Sequence, residues 1–301
     1  MALRTPSTNQ TQQSLLALQR TKERLALNQT RISTGNRLTG PGDDPTASAA
    51  VLSLGNSIDA NTQFIKQADS ALGYLSMSED VVAAAIERVQ RLGELAAEGG
   101  SAASSEVDSI RTALIDLANT KGQGKFLFAG TATQGTAAHP LPFEDAAPPA
   151  GPINYWGNAG SISLNVTNTT VVATNLPGDS VFFGSGGQGS STDIFKVVTD
   201  LRDGLATNNA ALTATATTNL TACLDSLTKA QVDLGGKQSQ LLALKDTLSG
   251  FNVSLQGLQN TQQDTDYPQA ATEYASDQVI QSASLSVLAK VNKTNLFDYL
   301  A

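Results

Sequence analysis

Two adjacent carboxylates, Asp43 and Asp44, stand in the stretch RLTGPGDDP at residues 37–45. Paired acids can hold a cation or share the proton transfers of a hydrolysis. Neither chemistry has support here, because no further acidic ligands follow at the spacing of a calcium loop. The neighbours give the pair another use. Gly40, Pro41 and Gly42 break a helical pattern, and Asp44 stands directly before Pro45. An acid at the cap followed by proline at the first helical position marks a helix start, and both acids fall at the positive end of the new helix dipole. Gly40, Pro41, Asp43, Asp44 and Pro45 are therefore read as a helix corner and cap.

Other residues with chemical potential read as structural. Glu144 and Asp145 sit in a proline-rich stretch and are expected in a solvated loop. Histidine and cysteine occur once each, as His139 and Cys223, too far apart in sequence to suggest a triad or a zinc site. Cys223 is expected as a small apolar residue beside a helix seam. The run GSGGQGSS at 184–191 lacks the pattern of a phosphate loop and reads as a flexible return. No catalytic, cofactor-binding or metal-binding residue is assigned, and no enzyme is expected. The N-terminal segment is basic, with Arg4, Arg20, Lys22, Arg24, Arg31 and Arg37 against Glu23. The chain as a whole is acidic, with 19 Lys+Arg against 27 Asp+Glu, and lacks interleaved aromatics, so nucleic acid is not expected. The N-terminus lacks the apolar core of a secretory signal, and no apolar run is long enough for a membrane span.

The elements that must position these residues are long helices. Leu15, Leu18, Leu25 and Ile32 form a sparse stripe over residues 15–38, with Lys22 and Gln29 interrupting it. After the corner, Val51, Ile58, Ile65, Leu72 and Ile86 recur at seven-residue steps, with Glu79 the polar interruption, and Leu54, Ala68, Leu75, Val82 and Val89 lie three residues beyond. Gly99 and Gly100 end that helix, and a shorter one carries Val107, Ile110, Leu114 and Leu117. From Thr131 to Phe195 the chain has no Lys or Arg. Ile162, Leu164 and Val166 alternate with polar residues, and VVATN at 171–175 and SVFFG at 180–184 read as further short strands. Then Leu220, Leu227, Leu234, Leu241, Leu248 and Leu255 step by seven, read mainly as intramolecular core. Gly235 and Gly236 lie inside that helix, where packing must offset them or the helix must bend. A last helix spans about 272–293, with Tyr274, Leu285 and Leu288 on one side. The fold class is mainly α: a long antiparallel helical rod with an inserted small β-rich domain. The expected boundaries are 1–40, 41–130, 131–190, 191–265 and 266–301. With aromatics at only 5% the bulky anchors are few, and the weak stripes at the two ends need a cover to stay ordered.

RISTGNRLTGPGDDPTASAAVLSL at 31–54 resembles the N-terminal signature of the bacterial flagellin family, with Ile32 where leucine is usual. Its DDP variant is more similar to the hook–filament junction branch than to flagellin proper. GKFLFAGT at 124–131, INYWGNAGSISLNV at 153–166, GDSVFFG at 178–184 and NLFDYLA at 295–301 resemble that branch as well. The resemblance implies a structural part of the flagellum, with flagellin itself, the filament subunit, as the alternative. It implies terminal segments that order on assembly into an inner tube, an outward β domain, and export through the flagellar type III apparatus to the extracellular flagellum. Implied partners are further copies in a ring, hook-associated protein 1 on the hook side, flagellin on the filament side, and an export chaperone at the C-terminal helix. Leu18, Leu25, Ile32, Leu285, Leu288, Leu296 and Phe297 are the implied assembly and chaperone contacts. Neither nucleic acid nor membrane is implied.

Overall fold

The computed structural model describes residues 5–146, 151–165 and 171–300, with side chains described from 12 to 146, 151 to 164 and 171 to 290. Six helices carry the described residues: α1 (Thr5–Thr34), α2 (Pro45–Glu98), α3 (Ala103–Ala118), α4 (Ile194–Ala206), α5 (Ala210–Gln263) and α6 (Tyr267–Leu300). Six short strands lie between α3 and α4: β1 (Lys121–Gly122), β2 (Lys125–Phe126), β3 (Phe143–Asp145), β4 (Ile153–Tyr155), β5 (Ser163–Asn165) and β6 (Val171–Ala173). They pair as three separate antiparallel ribbons, β1 with β2, β3 with β4 and β5 with β6. No helix among the described residues is long and apolar enough to cross a membrane. The chain divides into two compact units, residues 1–60 with 251–301, and residues 61–250.

In the larger unit the buried line of α2 runs through Ala68, Ala71, Leu75, Ser78, Val82, Ala85, Val89 and Leu92. These steps of three and four are a heptad seam. Ala68, Leu75, Val82 and Val89 belong to the expected pattern. The line Ile65, Leu72 and Ile86 lies on the flank, half-buried against the core. On α5 Leu220, Cys223, Leu227, Ala230, Leu234, Leu241 and Leu248 are all buried, so the leucine heptad is intramolecular core to that point. The two helices run antiparallel in this unit: Lys245 pairs with Asp69 at 2.6 Å, and Gln238 donates to Glu79 at 2.7 Å. Helix α5 continues through Gly235 and Gly236, and a Cβ at either would meet nothing within 4 Å, so no close packing requires these glycines.

The few aromatics are concentrated. Phe128, Phe143, Phe182, Phe183 and Phe195 are all at most 2% exposed and contact one another edge-on, tilted or stacked, with Tyr155 at the margin. One phenylalanine cluster thus fixes the inserted segment on the helices, since aromatic side chains bury the largest area per residue. SVFFG forms no strand. Asp179–Phe183 is a π-helical turn that leads into a 3₁₀ turn at Gly184–Gly186. The reason is burial: Val181, Phe182 and Phe183 are consecutive and all inside, which an alternating strand cannot achieve.

Three further expectations change. Asp145 is not in a solvated loop. It lies in β3 and takes a 2.8 Å bond from Arg111, which is only 3% exposed on α3 and needs a carboxylate to be buried there. Arg111 also donates to the Gly151 carbonyl at 2.7 Å and the Thr199 hydroxyl at 3.2 Å, joining α3, the β3–β4 ribbon and α4. The 184–191 return is pinned rather than loose. The Thr192 hydroxyl donates to the Phe183 carbonyl, Gln188 to the Ile153 carbonyl, and the Gly189 N–H to Asp193. Its glycines serve positive φ at Gly184, Gly187 and Gly189. Helix α4 is a separate helix that the expectation of one returning segment over 191–265 does not include, although an acid cap followed by Ile194, Val197, Val198, Leu201 and Leu205 carries a helical period in the sequence. Asp193 caps it by accepting from the N–H groups of Phe195 and Lys196, and Ile194, Val197, Val198, Leu201 and Leu205 bury one face. Burial pushes the Asp193 carboxyl above the usual carboxylate range, against the opposing pull of these bonds.

Candidate functional site

The smaller unit holds the residues assigned to the corner and to assembly. Helix α1 stops at Thr34, four residues before the expected end. Gly35, at φ 77°, turns the chain while its N–H returns to the Arg31 carbonyl at 2.9 Å. This is a left-handed glycine stop, which a side chain with a Cβ would strain. The corner therefore starts at Gly35, not Gly40.

Asp43 and Asp44 have separate tasks in it. One Asp43 carboxylate oxygen accepts from the Thr39 N–H at 2.8 Å, the Thr39 hydroxyl at 2.6 Å and the Gly40 N–H at 3.2 Å. Asp44 accepts from the Ala47 N–H at 3.0 Å at the start of α2, where Pro45 is the first helical residue. The Thr39 hydroxyl, then its N–H, hold the Asp43 carboxyl below the usual range. The Ala47 N–H, then Arg37, do the same for Asp44. Gly40, Gly42, Asp43 and Pro45 lie at or near the surface, with a Gly40–Asp43 turn of 3.2 Å spanning Pro41. The acids are thus occupied by main-chain donors and a hydroxyl of their own loop.

A second corner, between α5 and α6, lies against the first. The Arg37 N–H donates to the Gln263 carbonyl at 2.7 Å, and the Thr265 N–H donates to the Gly35 carbonyl at 2.8 Å. Asn36 and Asp264 form an antiparallel bridge. The Arg37 guanidinium donates to the Gln262 carbonyl at 3.0 Å, at the negative end of α5, and lies 3.5 Å from Asp44 at the positive end of α2. Arg37 thus joins the two corners through both its main chain and its side chain. The basic character of the N-terminal segment assigns it no such role, although a lone arginine between two corner glycines was the available signal.

From these corners α1 and α6 run antiparallel and pack together. The α1 face is Leu18, Thr21 and Asn28, all buried, with Leu25 and Ile32 half-buried. Leu15, Lys22 and Gln29 are exposed, so they do not lie on the seam. The α6 face is Ala270, Tyr274, Asp277, Gln281, Ser284 and Leu288. Leu285, expected beside Leu288, is 48% exposed because it sits one residue round from the seam position Ser284. The Leu296 and Phe297 side chains lie outside the described residues, as does Val166. Asp277, 6% exposed, accepts from Arg24 at 2.7 Å and from Asn28 at 3.5 Å. The seam is thus half polar, and much apolar surface points away from it. Leu15, Leu16, Val279, Ile280, Leu285 and Val287 are exposed on the helix pair, as are Leu52 on α2 and Phe251, Val253 and Leu258 on α5. Beyond Leu248 the last heptad leucine, Leu255, is half-buried, and Phe251 and Leu258, on the line three residues further on, are exposed. A monomer rarely exposes so many large apolar side chains together unless another protein surface covers them.

The comparisons agree with this geometry. Residues 7–133 match the family model of the bacterial flagellin N-terminal helical region, and residues 217–300 match that of its C-terminal helical region. The chain is 26% identical over 300 residues to flagellar hook-associated protein 3 of Escherichia coli (strain K12), covering 89% of this chain and 90% of that one. It is 25% identical over 296 residues to the protein of the same name from Salmonella typhimurium, with the same coverage. Its fold is similar to that of a flagellar hook-associated protein from Vibrio parahaemolyticus, with TM-score 0.66 and 17% identity over 74% of this chain and 100% of that one. It is also similar to the flagellar junction protein FlgL from Legionella pneumophila, with TM-score 0.53 and 18% identity over 73% of this chain and 100% of that one. The chain belongs to the bacterial flagellin family, in which it is similar to flagellar hook-associated protein 3 rather than to the filament subunit.

Proposed function

We propose that this chain is the structural connector at the hook–filament junction of the flagellum, bound on one side to the hook-side adaptor, hook-associated protein 1, and on the other to flagellin. The observation that carries this is the smaller unit: two terminal helices with a half-polar seam between them and a broad set of uncovered apolar residues around them. Such a pair is weak alone and gains from neighbours that cover Leu16, Phe251, Leu258 and Val287. Copies of the chain form a ring, with α1 and α6 as its inner segment and residues 131–190 as its outer part. Export is through the flagellar type III apparatus, with a chaperone covering the exposed face of α6, including Leu285, before assembly. The work is mechanical, and no residue is assigned to catalysis.

Deletion of the gene tests the reading. Cells lacking the chain should carry hooks without filaments and release unpolymerised flagellin into the medium. Absence of flagellin in every fraction would make the chain the filament subunit, and normal filaments would overturn both assignments.

A further inference from the structure

The chain has one histidine and one tryptophan, and the fold stacks them. The His139 and Trp156 ring centroids are 3.5 Å apart with planes inclined by 10°. The His139 Nδ1 lies 3.0 Å from one oxygen of Glu144 on β3. The other Glu144 oxygen accepts from the Leu141 N–H at 3.4 Å. His139 is also the point where the loop folds back: its N–H donates to the Thr136 hydroxyl at 3.0 Å, and its carbonyl accepts from the Thr136 N–H at 2.8 Å. The main chain at Trp156 is anchored independently, its backbone N–H donating to the Pro142 carbonyl at 2.8 Å.

We propose that His139, Glu144 and Trp156 form a proton-controlled clasp that holds the 136–141 loop against the β3–β4 ribbon, tighter when the imidazole is protonated. The charge inventory is simple. Glu144 is the ionisable group seen facing the ring from β3; Trp156, at the end of β4, contributes a π face. Asp145 is taken by Arg111, and the Tyr155 hydroxyl donates to the Phe128 and Asn158 carbonyls. The loop itself contributes Thr136, and no Lys or Arg occurs between Thr131 and Phe195 to compete for the carboxylate. A protonated imidazole gains both the carboxylate and the negative face of the indole, whereas the neutral ring gains one hydrogen bond and a stacking contact. A histidine is the side chain suited to make this change between pH 5 and 8.

The emission of Trp156, read in the full chain, reports the clasp directly, because a protonated imidazole in contact quenches indole. Emission should fall in one step as pH drops from 8 to 5, and the step should vanish in His139→Gln. Amide exchange at Thr136 and His139, corrected for its intrinsic pH dependence, should slow about two- to five-fold over the same range, the gain of an exposed cation–π contact. In Glu144→Gln, which leaves the ring stack in place, the quenching step should remain while the slowing of exchange shrinks. Flat emission in the wild type, a step that persists in His139→Gln, or quenching without slower exchange would each overturn the proposal.

Discussion

The guanidinium of Arg37 donates to the main-chain carbonyl of Gln262 at 3.0 Å, across the two corners where the terminal helices leave the long ones. The same residue's N–H donates to the Gln263 carbonyl, so one position serves the last turn of α5 with both main chain and side chain. Replacing Arg37 with alanine removes the side-chain bond and the contact with Asp44 but keeps the main-chain one. The expected loss is about 1 kcal/mol, typical of one net hydrogen bond. Hydrogen exchange should localise it, with faster exchange at Thr265 and in the first turn of α2 and no change around Phe143. Uniform change across the chain would contradict the assignment.

The acids of the corner set its response to acid. Asp43 and Asp44 both have folded-state pKa values below 3.8, so their stabilisation is present above that value and is lost as pH falls through the lowered values. Exchange at the Ala47 and Thr39 amides, corrected for the intrinsic rate, should accelerate on acidification below about pH 4, and Asp44→Asn should abolish the Ala47 effect alone.

Arg111 gives a large single-site effect in the larger unit. With Arg111 3% and Asp145 11% exposed, Arg111→Met leaves a carboxylate without its cation and should cost about 3–5 kcal/mol in urea unfolding. The double variant Arg111→Met/Asp145→Leu should recover part of that loss. A single variant within about 1 kcal/mol of wild type would show that the pair contributes little.

Glycines separate into two kinds. Gly130 has φ 65°, and a Cβ there would overlap the Asn158 carbonyl oxygen, so Gly130→Ala should lose more than about 2 kcal/mol. Gly235 lies in α5 with open space around it, so Gly235→Ala should gain about 1 kcal/mol. Equal effects in urea titrations of the two variants would contradict the backbone argument.

Cys223 is 1% exposed, with its thiol 3.5 Å from the Thr192 carbonyl, and burial, then Asp193, pushes its pKa up to about 12. Iodoacetamide at about pH 8 should leave the native chain unlabelled and label it once in urea, which makes Cys223 a reporter of opening in the larger unit.

Much of this was legible in the sequence because helices write their period plainly. Leu220 to Leu248 step by seven and are core, and Pro45 and Gly99 mark the ends of α2. Two seven-residue lines were visible on α2, but only a partner decides which is central. The seam took Leu75 and Val82 and left Ile65 and Leu72 at its edge. On α1 the apolar stripe alone could not reveal that Asn28 is buried, because a buried carboxylate, Asp277, recruits it from distant sequence, nor that Thr21 is, whose hydroxyl is satisfied by the Ala17 carbonyl of its own helix. SVFFG misled because β-prone residues in a row satisfy a strand and a buried turn equally well until the phenylalanine cluster is known. Arg111 had no local signal at all. Its partner is 34 residues away, and only packing brings them together.

The central claim is position at the boundary between hook and filament. Immunogold labelling of an epitope tag placed in the exposed turn at Gly187, viewed by electron microscopy of intact flagella, tests it most directly. A single band of gold at the hook–filament boundary is the predicted result. Gold along the whole filament, or none on flagella that carry normal filaments, would contradict it.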